Sequence, residues 1–189
     1  MVWTLKVDSP YTGEVVFETG LMSPAQVNET ISAARHAQRG WSRTSLQERI
    51  ALCERWLVAF EGELERVSTE LSQQMGKPIN EARGEVRTAL DRARQLIGLA
   101  PEALAVEALP EKEGFIREIH KAPVGVVLSI VAWNYPLLIA VNAVIPAVLA
   151  GNAVVVKASE RAPGAGEIFS STFTASGAPD GLVQTVHST

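Results

Sequence analysis

Apolar and polar positions change period several times along this chain, and each change marks an element. Two short stretches rich in apolar residues, Leu5-Lys6-Val7 and Glu14-Val15-Val16-Phe17, flank the turn-rich cluster Asp8 to Gly13 and predict a hairpin over residues 4–18. From Ser23 the period becomes helical. Ser23 is the expected N-cap, Pro24 the first helical residue and Gln26 the partner in a capping box. Val27, Ile31 and Ala34 form the inner face, and Gly40 is the expected end. Thr44-Ser45-Leu46-Gln47 predicts a second capping box, opening a helix with Leu46, Ile50, Cys53, Leu57 and Phe60 on one side. Gly62 separates it from a third helix carrying Leu64, Val67, Leu71 and Met75, which Gly76-Lys77-Pro78 closes. A long fourth helix places Ile79, Ala82, Val86, Leu90, Ala93 and Ile97 in line. Its Gly84 costs about 1 kcal/mol relative to Ala. Phe115 to Lys121, with charges on alternate sides, predicts an edge strand.

The pattern then breaks. From Ala122 to Val156 there is no charged residue, and the run ends in Lys157-Ala158-Ser159-Glu160. Val124 to Val131 is a continuous β-branched and apolar run, as in a strand buried on both faces. Leu137 to Ala150 is apolar nearly all round and of helix length, with a kink or early break expected at Pro146. Gly151-Asn152 ends it, and Ala153 to Val156 is a second short apolar run. Strand, buried helix and strand make a βαβ unit of a parallel sheet, whose ligands bind beyond the carboxyl ends of the strands. Those ends carry Trp133-Asn134 and Lys157 to Glu160. A further helix over Gly164 to Ala175, a turn over Gly177 to Gly181 and a strand over Leu182 to Val186 follow. That last strand is expected to leave an edge and an apolar face uncovered, as if a doubly wound domain were cut in its middle. A membrane span is disfavoured, because Asn134, Pro136, Asn142, Pro146, Gly151 and Asn152 interrupt the apolar run before it reaches about 20 residues.

Composition narrows the classes. The 189 residues allow one domain, or one and part of another. The net charge of −4 offers no basic stripe for nucleic acid. The lone Cys53 excludes an internal disulfide and fits a reducing, cytoplasmic compartment; the N-terminus lacks the pattern of a signal peptide. His36, His120 and His187 show no metal-ligand spacing, so no metal is expected. No G-x-S-x-G, Walker or G-x-G-x-x-G motif is present.

The segment PVGVVLSIVAWNYPLLIAVNAVIPAVLAGNAVVVKASE resembles the cofactor-binding core of the aldehyde dehydrogenase superfamily, whose pattern is close to P-x-G-V-x-x-x-I-x-P-W-N-[FY]-P followed by A-P-A-L-A-A-G-N-x-V-[LV]-K-P-[AS]-E. Pro10 to Glu14, the Trp41 region, Gly76-Lys77-Pro78 and the Gly177 to Gly181 turn agree in order, so the resemblance covers essentially the whole chain. It implies an α/β fold: an N-terminal helical layer plus the first βαβαβ of a Rossmann-like parallel sheet, truncated. Residues 1–189 would be the N-terminal part of the cofactor-binding domain, with oligomerisation strands near 4–18 and 114–122.

The resemblance also implies roles. Asn134 matches the asparagine whose amide stabilises the oxyanion formed when a catalytic cysteine attacks the aldehyde; a carboxamide is a neutral donor that does not titrate. On the residues alone it equally reads as a loop asparagine capping the next helix. Trp133 and the backbone of Ile130, Val131 and Ala132, with Asn134, match the wall along which the dinucleotide lies, although Trp133 also reads as a core tryptophan. Lys157, Ser159 and Glu160 match the adenosine-ribose site, where a carboxylate accepts from ribose hydroxyls and the lysine donates to one. Without the resemblance, Lys157 and Glu160 would be a solvated ion pair. The implied cofactor is NAD, with NADP possible. Glu160 should decide the preference, because the adjacent Arg161 is expected to point away. The implied partners are an aldehyde substrate and, in a full-length chain, one or three further copies as a homodimer or homotetramer.

Several departures stand out. Ala132 and Ala158 replace the usual prolines, and Gln74 stands where glutamate is common. The family's nucleophilic cysteine, general-base glutamate and second glycine-rich turn would all lie beyond Thr189. Cys53 precedes Asn134 and lies on an apolar helical face, where a thiol is inert packing. The reading is therefore an NAD(P)-dependent aldehyde dehydrogenase, with this chain alone expected to be inactive. The alternative is a non-catalytic fragment or interaction module of the same ancestry.

Overall fold

The chain is described here by a computed structural model covering residues 3–188. Strands β1 (Thr4–Asp8) and β2 (Val15–Gly20) pair antiparallel, forming the expected hairpin. Helix α1 (Pro24–Trp41) starts at Ser23 with the expected capping box, and runs one residue past Gly40. Helix α2 (Leu46–Gly62) is capped by Ser45, whose hydroxyl accepts from Glu48 N–H while the Glu48 carboxylate accepts from Ser45 N–H. The box is therefore Ser45 to Glu48, one residue beyond the expected Thr44 to Gln47. Helix α3 (Leu64–Met75) ends at Gly76, whose φ of +69° suits glycine, and α4 (Ile79–Ala103) follows.

Strands β3 (Glu107–Ala108) and β4 (Glu118–Ile119) are two residues each and wholly exposed. The strand expected over Phe115 to Lys121 shrinks to β4, because only that pair finds a ladder partner. Strand β5 (Val126–Val131), helix α5 (Pro136–Leu149), strand β6 (Ala153–Ala158), helix α6 (Gly164–Ala175) and strand β7 (Val183–Thr185) build a parallel sheet in the order β5-β6-β7. Helix α5 continues through Pro146 to Leu149, so the expected early break is absent. Pro146 falls in its last turn, where few following residues depend on the ladder.

The sheet has two differently covered faces. Thr185 meets Gly166 of α6, so α5 and α6 cover the face that carries Val154, Val156, Ser129 and Val131. Gln184 donates to Thr30 O of α1, so α1 lies on the face of Val155 and Leu128. Helices α2, α3 and α4 pack outside α5 and α6, around Trp56, Phe60, Phe169 and Phe173. Trp56 donates to Thr172 at 2.9 Å, satisfying its indole N–H inside this core.

Two expectations about exposure change places. Strand β5 is not buried on both faces: Leu128 is 59% and Ile130 71% exposed, because α1 packs chiefly on β6 and leaves these two residues of the edge strand uncovered. The apolar side chains at the last strand, Leu182, Val183 and Val186, are instead buried by α1 and α6. The carboxyl end of α5 is held by donors from the helical layer: Trp41 to Val148 O, Arg49 to Leu149 O and Gln38 to Gly151 O. Gln74, with no role visible in sequence, is buried and accepts from Gly164 N at 3.3 Å, tying α3 to the start of α6. Among the described residues no helix is long and apolar enough to cross a membrane.

Candidate functional site

Parallel pairing of β5 and β6 sets Ile130 beside Lys157 and Val131 beside Ala158, so the two strands end together. The chain leaves β5 through Ala132, Trp133, Asn134 and Tyr135 and leaves β6 through Ser159, Glu160 and Arg161. Between these exits lies an open cleft of about 450 Å³ lined by Ile130, Val131, Ala132, Lys157, Ala158, Ser159, Glu160 and Arg161. A second cleft of about 410 Å³ adjoins it, with Trp133, Glu160 and Arg161 on one side and Lys6, Asp8 and Pro10 of the hairpin on the other. Of the site residues expected from sequence, Ile130, Val131, Ala132, Lys157, Ser159 and Glu160 thus share one cleft. Trp133 walls the next, and Asn134 lines neither.

Trp133 is 47% exposed, which removes the core reading. Asn134 is exposed, and its side-chain amide has no hydrogen-bond partner among the described residues; its carbonyl accepts from Lys77 Nζ at 3.0 Å. It does not cap α5, whose N-cap is Tyr135. The other two asparagines of the apolar segment are structural. Asn142 donates to Leu138 O within its helix, and Asn152 bridges Gly125 N and Ala147 O. Lys157 and Glu160 form no ion pair with each other, and neither side chain has a hydrogen-bond partner among the described residues. Ser159 shapes their loop by accepting from Arg161 N.

Arg161 corrects the expectation drawn from its place next to Glu160. It lines both clefts with Glu160, and its guanidinium lies 5.3 Å from the Trp133 ring centroid. The indole face attracts the cation and turns it inward, an influence invisible from sequence adjacency. Cys53 lies in the helical core with no exposure, and burial pushes its thiol up to about 12. Among the described residues no three His, Cys, Asp or Glu side chains converge as a metal site requires.

Sequence reasoning missed Lys77 and Glu85. In sequence Lys77 reads only as part of the Gly76-Lys77-Pro78 stop and nothing singles out Glu85; they are a buried ion pair touching the loop of Asn134. Thr88 and Ala89 stand three and four residues after Glu85, where a helical ion-pair partner would sit, so the sequence gives no pairing signal; only the fold brings Lys77 to it.

Residues 3–189 match the profile of the aldehyde dehydrogenase family. The chain is similar to 3,6-anhydro-alpha-L-galactose dehydrogenase of Streptomyces coelicolor, with 34% identity over 97% of this chain and 37% of that protein. It is also similar to the NADP(+) succinate-semialdehyde dehydrogenase of Deinococcus radiodurans, with 31% identity over 92% of this chain and 36% of that protein. Among solved structures, PnpE in complex with nicotinamide adenine dinucleotide superposes with a TM-score of 0.92 at 30% identity, over 99% of this chain and 38% of that one. The aldehyde dehydrogenase of Brucella melitensis biovar abortus gives 0.93 at 26% identity, over 99% and 39%. The chain spans little more than a third of the length of these relatives. With the profile matched from the hairpin to the last strand, this chain belongs to the aldehyde dehydrogenase family.

Proposed function

We propose that this chain supplies the oxyanion donor and the adenosine-ribose site for NAD(P)-dependent oxidation of an aldehyde to a carboxylic acid. The observation that carries the reading is Asn134: an amide with no internal partner, on the loop leaving β5, beside a cleft whose Lys157 and Glu160 are equally unpartnered. The residues fit a dinucleotide. The cleft lies at the carboxyl ends of two parallel strands, its floor is apolar, and its rim offers two donor cations, Lys157 and Arg161, and one acceptor anion, Glu160.

When bound, the dinucleotide supplies the hydride acceptor. The chain's own part is electrostatic and positional. Asn134 Nδ2–H donates to the aldehyde oxygen as that oxygen gains charge, a donor fixed in place and unaffected by pH. Lys157 donates to a ribose hydroxyl and Glu160 accepts from the pair. Glu160 would repel a 2′-phosphate, and Arg161, held over Trp133, offsets part of that repulsion, so NAD is the preferred cofactor. The attacking thiolate is not Cys53, whose buried thiol stays protonated at neutral pH. The exposed Phe115, Ile116 and Ile119 suit contact with a second copy, in line with an oligomerising role for residues 4–18 and 114–122. Sedimentation of Ile116→Asp in the intact protein tests this, with a smaller assembly than the unmodified homodimer or homotetramer expected.

In the intact protein, Asn134→Ala should lower kcat about 10²–10³-fold and leave the Kd for NAD unchanged. Loss of affinity with kcat preserved would move Asn134 to the cofactor wall. Glu160→Gln should tighten NADP binding and narrow the preference for NAD. Protein that binds NAD through Glu160 and turns over no aldehyde would instead be a non-catalytic binding module.

A further inference from the structure

Glu85 is the one buried carboxylate among the described residues; its side chain is 0% exposed, and that of its partner Lys77 9%. Buried ion pairs contribute little net stability, because well-packed apolar residues of similar volume often serve as well or better. What this pair touches gives a better account of it. Lys77 Nζ binds Glu85 Oε2, donates to Asn134 O at 3.0 Å and lies 4.1 Å from the Tyr135 ring centroid. Glu85 Oε1 accepts from Leu137 N at 2.9 Å. Leu137 is the second residue of α5, whose N-cap Tyr135 makes no side-chain cap and whose first residue, Pro136, has no N–H. Glu85 therefore replaces the missing cap from a different helix, and its charge faces the positive end of α5. The pair holds the chain immediately before and after the turn into α5.

We propose that Lys77 and Glu85 are positioning residues for Asn134. By fixing its carbonyl, the Tyr135 ring and the first free amide of α5, they hold the Asn134 amide in one place toward the reacting oxygen. This rests on the oxyanion reading of Asn134. A donor that is preorganised needs no rearrangement as charge develops, and a misplacement of about 1 Å costs about 10²-fold in rate.

Two neutral double variants separate the contacts. Lys77→Met/Glu85→Gln removes the lysine and keeps an acceptor for Leu137; Lys77→Met/Glu85→Met removes both. In the intact protein, both should lower the backbone order parameters of Asn134 and Tyr135 from about 0.85 to below about 0.6. Only the second should speed hydrogen exchange at Leu137 N–H. Both should lower kcat about 10²-fold with the Kd for NAD unchanged. Unchanged order parameters and exchange in the apolar variant would overturn the positioning role whatever the activity. A kcat fall in Asn134→Ala with none in either double variant would break the link to catalysis. No effect of Asn134→Ala would sink the oxyanion reading instead, leaving the order parameters to decide whether the pair holds the loop.

Discussion

Strands β5 and β6 have nearly the same composition and opposite surroundings. VVLSIV and AVVVKA lie side by side in register, so Leu128 neighbours Val155 on the same face. Val155 is 3% exposed, Leu128 59%. The difference lies in the covering, since α1 packs chiefly on β6 on that face and leaves Leu128 of β5 uncovered. A strand's composition thus records that it is built for burial, while the helix that buries it is a separate matter of topology. Leu128 and Ile130 form an apolar strip at an edge whose backbone groups are also unpaired, the arrangement that favours docking of another chain segment or aggregation.

The comparison is sharpest under charge. Val154→Asp places an unpaired carboxylate between β6 and the α5–α6 layer, and should cost more than about 4 kcal/mol, abolishing the cooperative melt. Leu128→Ser, one strand away, should stay within about 0.5 kcal/mol and reduce self-association in light scattering. Equal losses from both would mean that β5 is covered in solution.

Packing on the closed side should resist added volume. A methyl on Gly166 would stand 2.8 Å from Thr185 Cγ2, so Gly166→Ala should cost about 1–3 kcal/mol in denaturant unfolding. A neutral effect would mean that the α6–β7 contact has room to give.

The dry helical core also sets a pH dependence. Burial raises the Cys53 thiol from 9.0 to about 12. Between those values the unfolded chain loses a proton that the folded one keeps, so the protein binds more protons when folded and stability falls as pH rises. The slope should approach about 1.4 kcal/mol per pH unit and vanish in Cys53→Ala. A slope unchanged in that variant would assign the effect to other groups. A small gain is expected at the outer surface. Gly84 has open space around its Cα, so Gly84→Ala should raise stability by about 1 kcal/mol in the same unfolding assay.

Helices were the most legible part of this fold, because their signals are local. Ser23 with Gln26, Gly76 after Met75, and the limits Gly164 and Ala175 all involve residues a few positions apart. The second capping box shifted by one residue because Ser45 and Thr44 are both competent caps, and only the position of Glu48 decides between them. Strand lengths were less legible: β4 is set by a two-residue partner, not by the alternation of Phe115 to Lys121. At the site, the loops leaving β5 and β6 could be read from polar residues breaking an apolar run. Arg161 on Trp133 and Lys77 on Glu85 could not, since each depends on a neighbour across the fold.

The clamps on the carboxyl end of α5 bear on how this chain acquires its shape. Gln38, Trp41 and Arg49 bind carbonyls 113, 107 and 100 residues further along. At about 5–20 residues per second, a ribosome would deliver those acceptors some 5–20 s after the donors. During that interval the first two helices would be present with their inner faces and polar ends unmatched. Closing so long a loop costs entropy before any of these bonds is gained, so the early helices would wait for the sheet instead of nucleating it. A nascent chain stalled before residue 150 should therefore remain accessible to protease at α1 and α2, and become resistant within a few further turns of elongation.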